Sequence, residues 1–309
     1  MPASNAYIPF DRQQAIVAGT PLPTRTFGTA LFADISGFTP LTEALTLTLG
    51  QARGAEELVR TLDRVYDELL GEVDRFGGSV ISFSGDGVTC WFEGYDPHRA
   101  VAAGFAMQSV MQQFRTVAVP QGGTVSFSVK VAVATGPMRR FLVGDPAIQL
   151  IDTLAGSTMV RLATAGSLTG KNEVVIDEPT FEALAGFAQV QEWRTRDSLR
   201  FAAISGLNSA VQPTPVKPLD QNALSDEQIR PWLLEPVYNR LQSGQGDFLA
   251  ELRYTLSVFI SFSGIDYDQD EAAGDKLNAF ICWVQQVLTR YEGALIDLTI
   301  GDRPLAKVK

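Results

Sequence analysis

Leu31-Phe32-Ala33-Asp34-Ile35-Ser36-Gly37-Phe38-Thr39-Pro40-Leu41-Thr42 is the stretch that decides how this chain is read. An apolar run ends at a carboxylate, passes through a short flexible turn and enters a helix start. The run predicts a strand over residues 27–34. Asp34 then stands where the strand stops, with its carboxylate at the edge of a sheet. Ser36, Gly37 and Thr39 let the backbone turn and leave amide N–H groups at the next helix N-terminus. A carboxylate beside free amides suits a metal ion that carries an anionic ligand such as phosphate.

Downstream, residues 41–49 read as a helix, 50–54 as a loop and 55–76 as a longer helix. Leu58, Leu62, Val65, Leu69 and Val73 recur there at spacings of three and four, which makes a core stripe. Gly77-Gly78 ends the helix. Ser79-Val80-Ile81-Ser82-Phe83-Ser84 and Val88-Thr89-Cys90-Trp91-Phe92 then flank Gly85-Asp86-Gly87, a hairpin signal. A helix over 97–114 follows, then strands over 125–135 and 138–143 joined at Gly136-Pro137. A loop and helix fill 144–166. A strand at 174–176, a short helix at 180–184 and two strands within 189–205 complete the run.

The order β-α-α-β-β-α-β-β with a hairpin in the middle predicts an α+β fold of the ferredoxin-like, split βαβ type. A right-handed crossover makes the first and second strands parallel, with the third antiparallel between them. The hairpin turn then lies at the sheet end where the first strand stops. Topology thus predicts Asp86 beside Asp34.

The boundaries follow composition. Residues 1–26 form an arm with a short helix near 12–17, and 27–205 the first domain. Residues 206–250 are a linker marked by Pro213, Pro215 and Pro218, with a second break at Gly244-Gln245-Gly246. The rest, 251–309, repeats the opening of the first domain. Phe259-Ile260-Ser261-Phe262-Ser263-Gly264-Ile265 parallels Phe32-Ala33-Asp34-Ile35-Ser36-Gly37-Phe38, and Gly301-Asp302 parallels Gly85-Asp86. The repeat implies two like domains that pair face to face. A third strand is due after Gly301, where Pro304 is expected to interrupt it, so the second copy reads as incomplete.

The bulk properties narrow the chemistry. A chain of 309 residues with net charge -10 argues against nonspecific binding to nucleic acid or an anionic membrane. It leaves room for one nucleotide at a metal, because a bound cation reverses the local sign. The two cysteines, Cys90 and Cys282, read as buried free thiols. The single histidine, His98, reads as a surface or capping residue. This composition excludes an ordinary zinc site and histidine catalysis. No leader pattern and no apolar run of ~20 residues is present, so a cytoplasmic protein is expected.

Carboxylates, hydroxyls, Arg/Lys or bound metal must therefore carry any reaction. Asp34 and Asp86 on adjacent strand ends suit two divalent cations about 3.5–4 Å apart. The Ile35 carbonyl adds a backbone ligand. Amides around Phe38 and Thr39 suit phosphate oxygens. Hard oxygen ligands favour Mg²⁺ or Mn²⁺. Arg139, beside Arg140 after the strand turn, is a further candidate for phosphate, with a solvated face as the plainer reading. Each motif also has an ordinary reading, as a plain turn and a plain hairpin tip.

Phe32-Ala33-Asp34-Ile35-Ser36-Gly37-Phe38-Thr39 together with Phe83-Ser84-Gly85-Asp86-Gly87 resembles the class III adenylyl/guanylyl cyclase catalytic domain. The tandem arrangement is most similar to the soluble, bicarbonate-type adenylyl cyclases and their bacterial relatives. The resemblance covers residues 27–205 and, in part, 252–302. It implies a cyclase homology domain that uses two Mg²⁺ or Mn²⁺ ions at Asp34 and Asp86 and a nucleoside triphosphate held by the Ser36–Gly37–Phe38–Thr39 turn. It also implies a complementary cyclase domain, in cis or as a dimer, and a product that is a cyclic 3′,5′-monophosphate, ATP being the expected substrate ahead of GTP. The partner domain of that family supplies an Asn and an Arg from a helix, and here Val160 and Thr164 fall at those places. Ser261 replaces the first aspartate in the second copy, and Ser82 stands where the bicarbonate-type enzymes carry a Lys. Arg161 is expected at the surface. Asp297 and Leu298 lie near the base-selecting position and match neither family type. This chain alone is therefore expected to be weak or inactive. A degenerate cyclase fold that binds a nucleotide or partner as a sensor is the alternative. A dinucleotide cyclase of palm fold is disfavoured, because its Gly-Gly-Asp/Glu-Glu-Phe signature is missing.

Overall fold

The computed structural model describes residues 4–119, 123–220, 222–244, 255–301 and 305–308. The arm carries a helix, α1 (Phe10–Ala18). The first unit then runs β1 (Arg25–Ser36), α2 (Phe38–Leu49), α3 (Gln51–Arg75), β2 (Ser79–Ser84), β3 (Gly87–Glu93), α4 (His98–Met111), β4 (Val117–Val119), β5 (Gly123–Val125) and β6 (Ser128–Val143). It continues with β7 (Ile151–Ala155), α5 (Ser157–Leu168), β8 (Val174–Asp177), α6 (Glu178–Ala183), β9 (Ala188–Arg196) and β10 (Leu199–Leu207). After α7 (Asp226–Ile229) and α8 (Glu235–Gln242) come β11 (Val258–Ser261), α9 (Ala273–Thr289), β12 (Leu295–Thr299) and β13 (Leu305–Val308). The fold is α+β, as the sequence predicts. No helix among the described residues is long and apolar enough to cross a membrane.

The main sheet has the order β2-β3-β1-β6-β8-β10-β9, with β7 paired to β6. Strand β3 lies antiparallel between β2 and β1, as the crossover rule requires. Period-two alternation in β1 sends Leu31, Ala33 and Ile35 to a core beneath α3 and α4, where Val65, Leu69, Val73 and Met107 are fully buried. Ala30 and Phe32 face the opposite side, against Met159, Leu162 and Ala165 of α5. Beyond the main sheet, β11-β13-β12 form a three-stranded sheet. Helix α9 packs through Leu277, Ile281 and Val284 on that sheet and on Phe141 and Val143 of β6.

Several elements differ from the expected ones, each for a physical reason. Gly136-Pro137 does not break the strand. Strand β6 runs through it for 16 residues, with Gly136 opposite Gly28 and Pro137 opposite Phe27. Two facing glycines leave room for Thr158 and Arg161 of α5, and a Cβ on Gly136 would lie 2.7 Å from the Thr158 hydroxyl. Residues 50–54 are not a loop, because α3 begins at Gln51 and buries Gly54 against the Leu45 carbonyl. The short strand β7 escapes the sequence pattern, since its partner is the far end of β6. A third strand, β13, does form and pairs with both β11 and β12. It starts beyond Pro304, so no ladder donor is lost. Residues 245–250, the predicted repeat mate Asp302 and the start of the predicted strand at 252–254 lie outside the described residues.

The arm is locked by buried charge. Arg140 donates to both Asp152 oxygens at 2.8 Å and to Asp11 of α1, and Arg12 Nε reaches Asp152 at 2.8 Å. The Asp152 side chain is 1% exposed and that of Arg140 3%. Removing one partner strands the other charges in a low dielectric. Arg140→Met should therefore lower the unfolding free energy by about 3–5 kcal/mol. Arg60→Ala, at the exposed pair with Glu57, should change it by less than ~1 kcal/mol. Denaturant titration followed by circular dichroism measures both, and equal losses would show that the Arg140 network does not hold the arm.

Candidate functional site

The site is built at one end of β1. Asp34 lies two residues before the end of the strand, opposite Gly87 of β3 on one side and Lys130 of β6 on the other. The tight β2–β3 turn carries Asp86, and the Ile35 N–H donates to the Asp86 carbonyl at 3.1 Å. That bond closes the hairpin onto β1, and the two carboxyl groups come within hydrogen-bonding reach of each other. Gly87 lies tight against the Phe32 ring, which a Cβ would meet at 2.7 Å.

The charges in this corner act on one another. Burial pushes the Asp86 carboxyl above the usual carboxylate range, and the neighbouring Asp34 charge and hydrogen bond push it the same way. A backbone hydrogen bond and the Lys130 charge oppose the rise. Lys130 Nζ lies 2.7 Å from Asp34 Oδ2, with side chains 31% and 21% exposed. Tyr66 of α3 stands over the same corner. Burial, then the charges of Asp86 and Asp34, raise its hydroxyl to about 12. Its ring packs against Phe38 at 6.1 Å and Phe83 at 5.5 Å, and so ties the turn after β1 to the strand before Asp86.

The turn itself is held by Gly37, which has φ 125° and directly precedes α2. A Cβ there would lie 2.7 Å from the Ser126 carbonyl oxygen and 2.9 Å from the Phe127 ring, so only glycine fits. No side chain caps α2. The first intrahelical bond comes from Leu41 to the Gly37 carbonyl at 3.2 Å. Thr39 is exposed and Ser36, Gly37 and Phe38 are half-buried. The amides of this turn therefore face an open helix N-terminus beside Asp34.

The second sheet reaches the same corner. Asp297 of β12, 7% exposed, accepts from Ser84 Oγ at 2.8 Å and from Thr299 Oγ at 3.1 Å. Ser84 is two residues before Asp86. A mainly apolar cavity of about 320 Å³ opens alongside, walled by Phe32, Ser84 and Lys130, by Met159 and Ala163 of α5, and by Ile300. Ser82 also lines it.

The topology thus gathers Asp34, Ile35, Ser36, Gly37, Phe38, Thr39 and Asp86 at one end of the sheet. It does not gather Arg139. That residue pairs with Arg25 at the far end of β1, nine positions from Lys130, or about 30 Å of extended strand. Its guanidinium, 4% exposed at the residue level, donates to the Tyr267 and Asp270 carbonyls and lies over the Phe141 ring at 5.0 Å. The candidate phosphate contact at Arg139 is corrected accordingly. Arg161 is also not free at the surface, since its Nε donates to the buried Asp177 at 2.7 Å. Val160 is exposed on α5, and Thr164 bonds back to the Val160 carbonyl. Sequence reasoning missed Lys130, Tyr66 and the Ser84–Asp297 bond. A signal for Lys130 existed, as a lone cation in the apolar run Val129-Lys130-Val131-Ala132-Val133.

Two carboxylates with hard oxygens suit a divalent cation, and the ammonium of Lys130 marks where positive charge settles. Among the described residues no group of three His, Cys, Asp or Glu side chains gathers at one point. Further ligands would come from backbone, water or a phosphate.

No family model matches the chain. Rat adenylate cyclase type 10 is 22% identical over an alignment of 309 positions that covers 89% of this chain and 19% of that protein. The human protein of the same name is 40% identical over 76 residues, 23% of this chain. The chain spans about a fifth of the length of the full-span relatives it matches. Among solved structures, the guanylyl cyclase Cya2 superposes with a TM-score of 0.50 at 21% identity, covering 62% of this chain and 98% of that one. A bacterial light-regulated adenylyl cyclase gives 0.51 at 16% identity, covering 67% and 61%. The chain is homologous to adenylate cyclase type 10 and has the fold of the class III adenylyl and guanylyl cyclase catalytic domains.

Proposed function

We propose that this chain is a metal-dependent purine nucleotide cyclase. It would convert ATP, or GTP, to the cyclic 3′,5′-monophosphate and pyrophosphate, in the cytoplasm. The observation that carries the reading is the convergence of Asp34 and Asp86 beside the uncapped turn 36–39. In this reading residues 27–205 and 251–309 are two cyclase-like units joined by a linker. The first holds the cation site, and the second approaches it through Asp297.

Each residue has a task that follows from its chemistry. Asp34 and Asp86, with the Ile35 carbonyl, would hold Mg²⁺ or Mn²⁺, as a pair of ions. The cations would lower the pKa of the attacking hydroxyl and offset the charge of the polyphosphate. Gly37 turns the chain so that the Phe38 and Thr39 amides donate to phosphate oxygens. Lys130, ion-paired to Asp34, would be a side-chain cation beside that anion. The Ser84–Asp297 pair, beside the cavity, would face the base in this reading. A complementary cyclase domain would supply what α5 of this chain does not, since Val160 and Thr164 stand where an Asn and an Arg are called for. Loss of one transition-state arginine costs several orders of magnitude in phosphoryl transfer, so slow turnover is expected of the chain by itself.

The same substitution favours a second reading, in which the first unit binds the nucleotide as a regulatory module without turnover. Calorimetry with Mn²⁺ and ATP, run beside an assay for cyclic AMP and cyclic GMP, separates the two. The expected result is nucleotide binding with slow product formation, both lost by ~100-fold or more in Asp34→Asn and Asp86→Asn. Binding without any product selects the regulatory reading. Binding and turnover unchanged in both variants would overturn the assignment of the site.

Gly37 offers a separate check on the turn. Gly37→Ala forces a Cβ into the Ser126 carbonyl, a strain on the order of 1–3 kcal/mol. It should weaken binding of the manganese–ATP complex about tenfold or more, whereas Thr39→Ala, at an exposed side chain, should keep binding within about twofold because it leaves the amide in place. Equal affinities for the two variants would remove the turn from the site.

A further inference from the structure

The cation at Asp34 in this structure is a side chain, and that has a consequence for how ligands enter. Asp34 and Lys130 are opposed residues on neighbouring antiparallel strands. Their side chains meet at 2.7 Å, at Asp34 Oδ2. Among the described residues Lys130 is the basic group ion-paired to this carboxylate corner. Both side chains are partly sheltered, so water screens the pair less than it would a surface bridge. The Lys130 charge also opposes the rise that burial, and then the Asp34 charge, produces at Asp86.

We propose that Lys130 is an exchangeable counter-ion whose transfer from Asp34 to the polyphosphate couples metal binding to nucleotide binding. The proposal rests on the reading of Asp34 and Asp86 as cation ligands and of a nucleoside triphosphate as the ligand of the turn. Without a ligand the corner holds two carboxylates and one ammonium. A divalent ion arriving alone competes with the ammonium for Asp34 and is held close to it, cation against cation. Displaced from Asp34, Lys130 is left with solvent, with Asp86, which the same ion would hold, and with a cavity walled by Phe32, Met159, Ser84 and Thr89. A polyphosphate supplies the missing partner. Its negative oxygens accept the ammonium, and Asp34 is released to the metal.

Lysine suits this exchange better than arginine would. Its ammonium is a compact, well-hydrated charge on a flexible four-carbon stem, able to swing between two anions. Each ligand then favours the same rearranged state. Linkage requires that each raise the affinity of the other by one and the same factor.

The test measures that factor in the full chain at pH 8 by titration calorimetry, with manganese paramagnetic resonance as a second readout. Mn²⁺ is titrated alone and with a saturating ATP analogue carrying a methylene between its α and β phosphorus atoms, which cannot be cyclised. The wild-type chain should bind Mn²⁺ about tenfold or more tightly with the analogue present. Lys130→Gln should bind Mn²⁺ alone at least about fivefold more tightly than wild type, with the coupling factor reduced toward one. Lys130→Arg, which keeps the charge, should retain tight pairing to Asp34 and weak binding of Mn²⁺ alone. Unchanged or weaker Mn²⁺ binding in Lys130→Gln, whether or not its thermal midpoint falls, would overturn the proposal and leave Lys130 a structural strut. Asp34→Asn decides the underlying reading separately. If it binds Mn²⁺ as wild type does, the metal site is elsewhere and the exchange fails with it.

Discussion

Strand β1 is hydrogen-bonded along both edges, and the placement of every group in the site follows from that. On one side it pairs with β3 from Gly28 to Asp34, on the other with β6 from Arg25 to Ser36. A strand held this way cannot slip, since a shift of one residue would turn Leu31, Ala33 and Ile35 out of the core and put Ala30 and Phe32 in. The register sets Asp34 against Gly87 and Lys130 at once. The hairpin tip and the lysine are thereby delivered to the two flanks of one carboxylate.

Around this pinned strand the remaining parts act as fasteners. Tyr66 lies against both Phe38 and Phe83, so α3 clamps the turn and the hairpin with one ring. Gly37 lets the chain reverse where a side chain would strike Ser126 and Phe127. The buried Arg140 network joins the arm to β6 and β7. Together they fix the turn, the hairpin and the arm around Asp34, with Lys130 paired to it.

What the sequence disclosed and what it hid divide along one line. The meeting of Asp34 and Asp86 was legible, because a hairpin signal and the handedness of crossovers place it without any knowledge of side-chain packing. The stripe Val65, Leu69 and Val73 was legible for the same reason, as a local period. The pairing of Lys130 with Asp34 was not, because it is set by the register of β6 on β1 across nearly a hundred residues. Arg139 misled in the same way. It lies on the right strand but at the wrong end, facing Tyr267 and Asp270. Gly136-Pro137 and Pro304 looked like breaks when only local propensity was considered. The first is spanned by a continuous ladder and the second precedes a strand. Gly54 looked like a loop residue and is where α3 needs no side chain against Leu45.

Asp268 gives the second unit a hold on the first. Its carboxylate accepts the Ser157 N–H at 3.0 Å and so caps α5, while Arg25 bonds to the Asp268 carbonyl and to Glu271. A helix of the first unit thus takes its N-terminal cap from a loop of the second. With α9 also packed on β6, these bonds tie the melting of the two sheets together. The molecule should lose its structure in one cooperative step, with the second unit behaving as a keystone of the first and not as an appended tail.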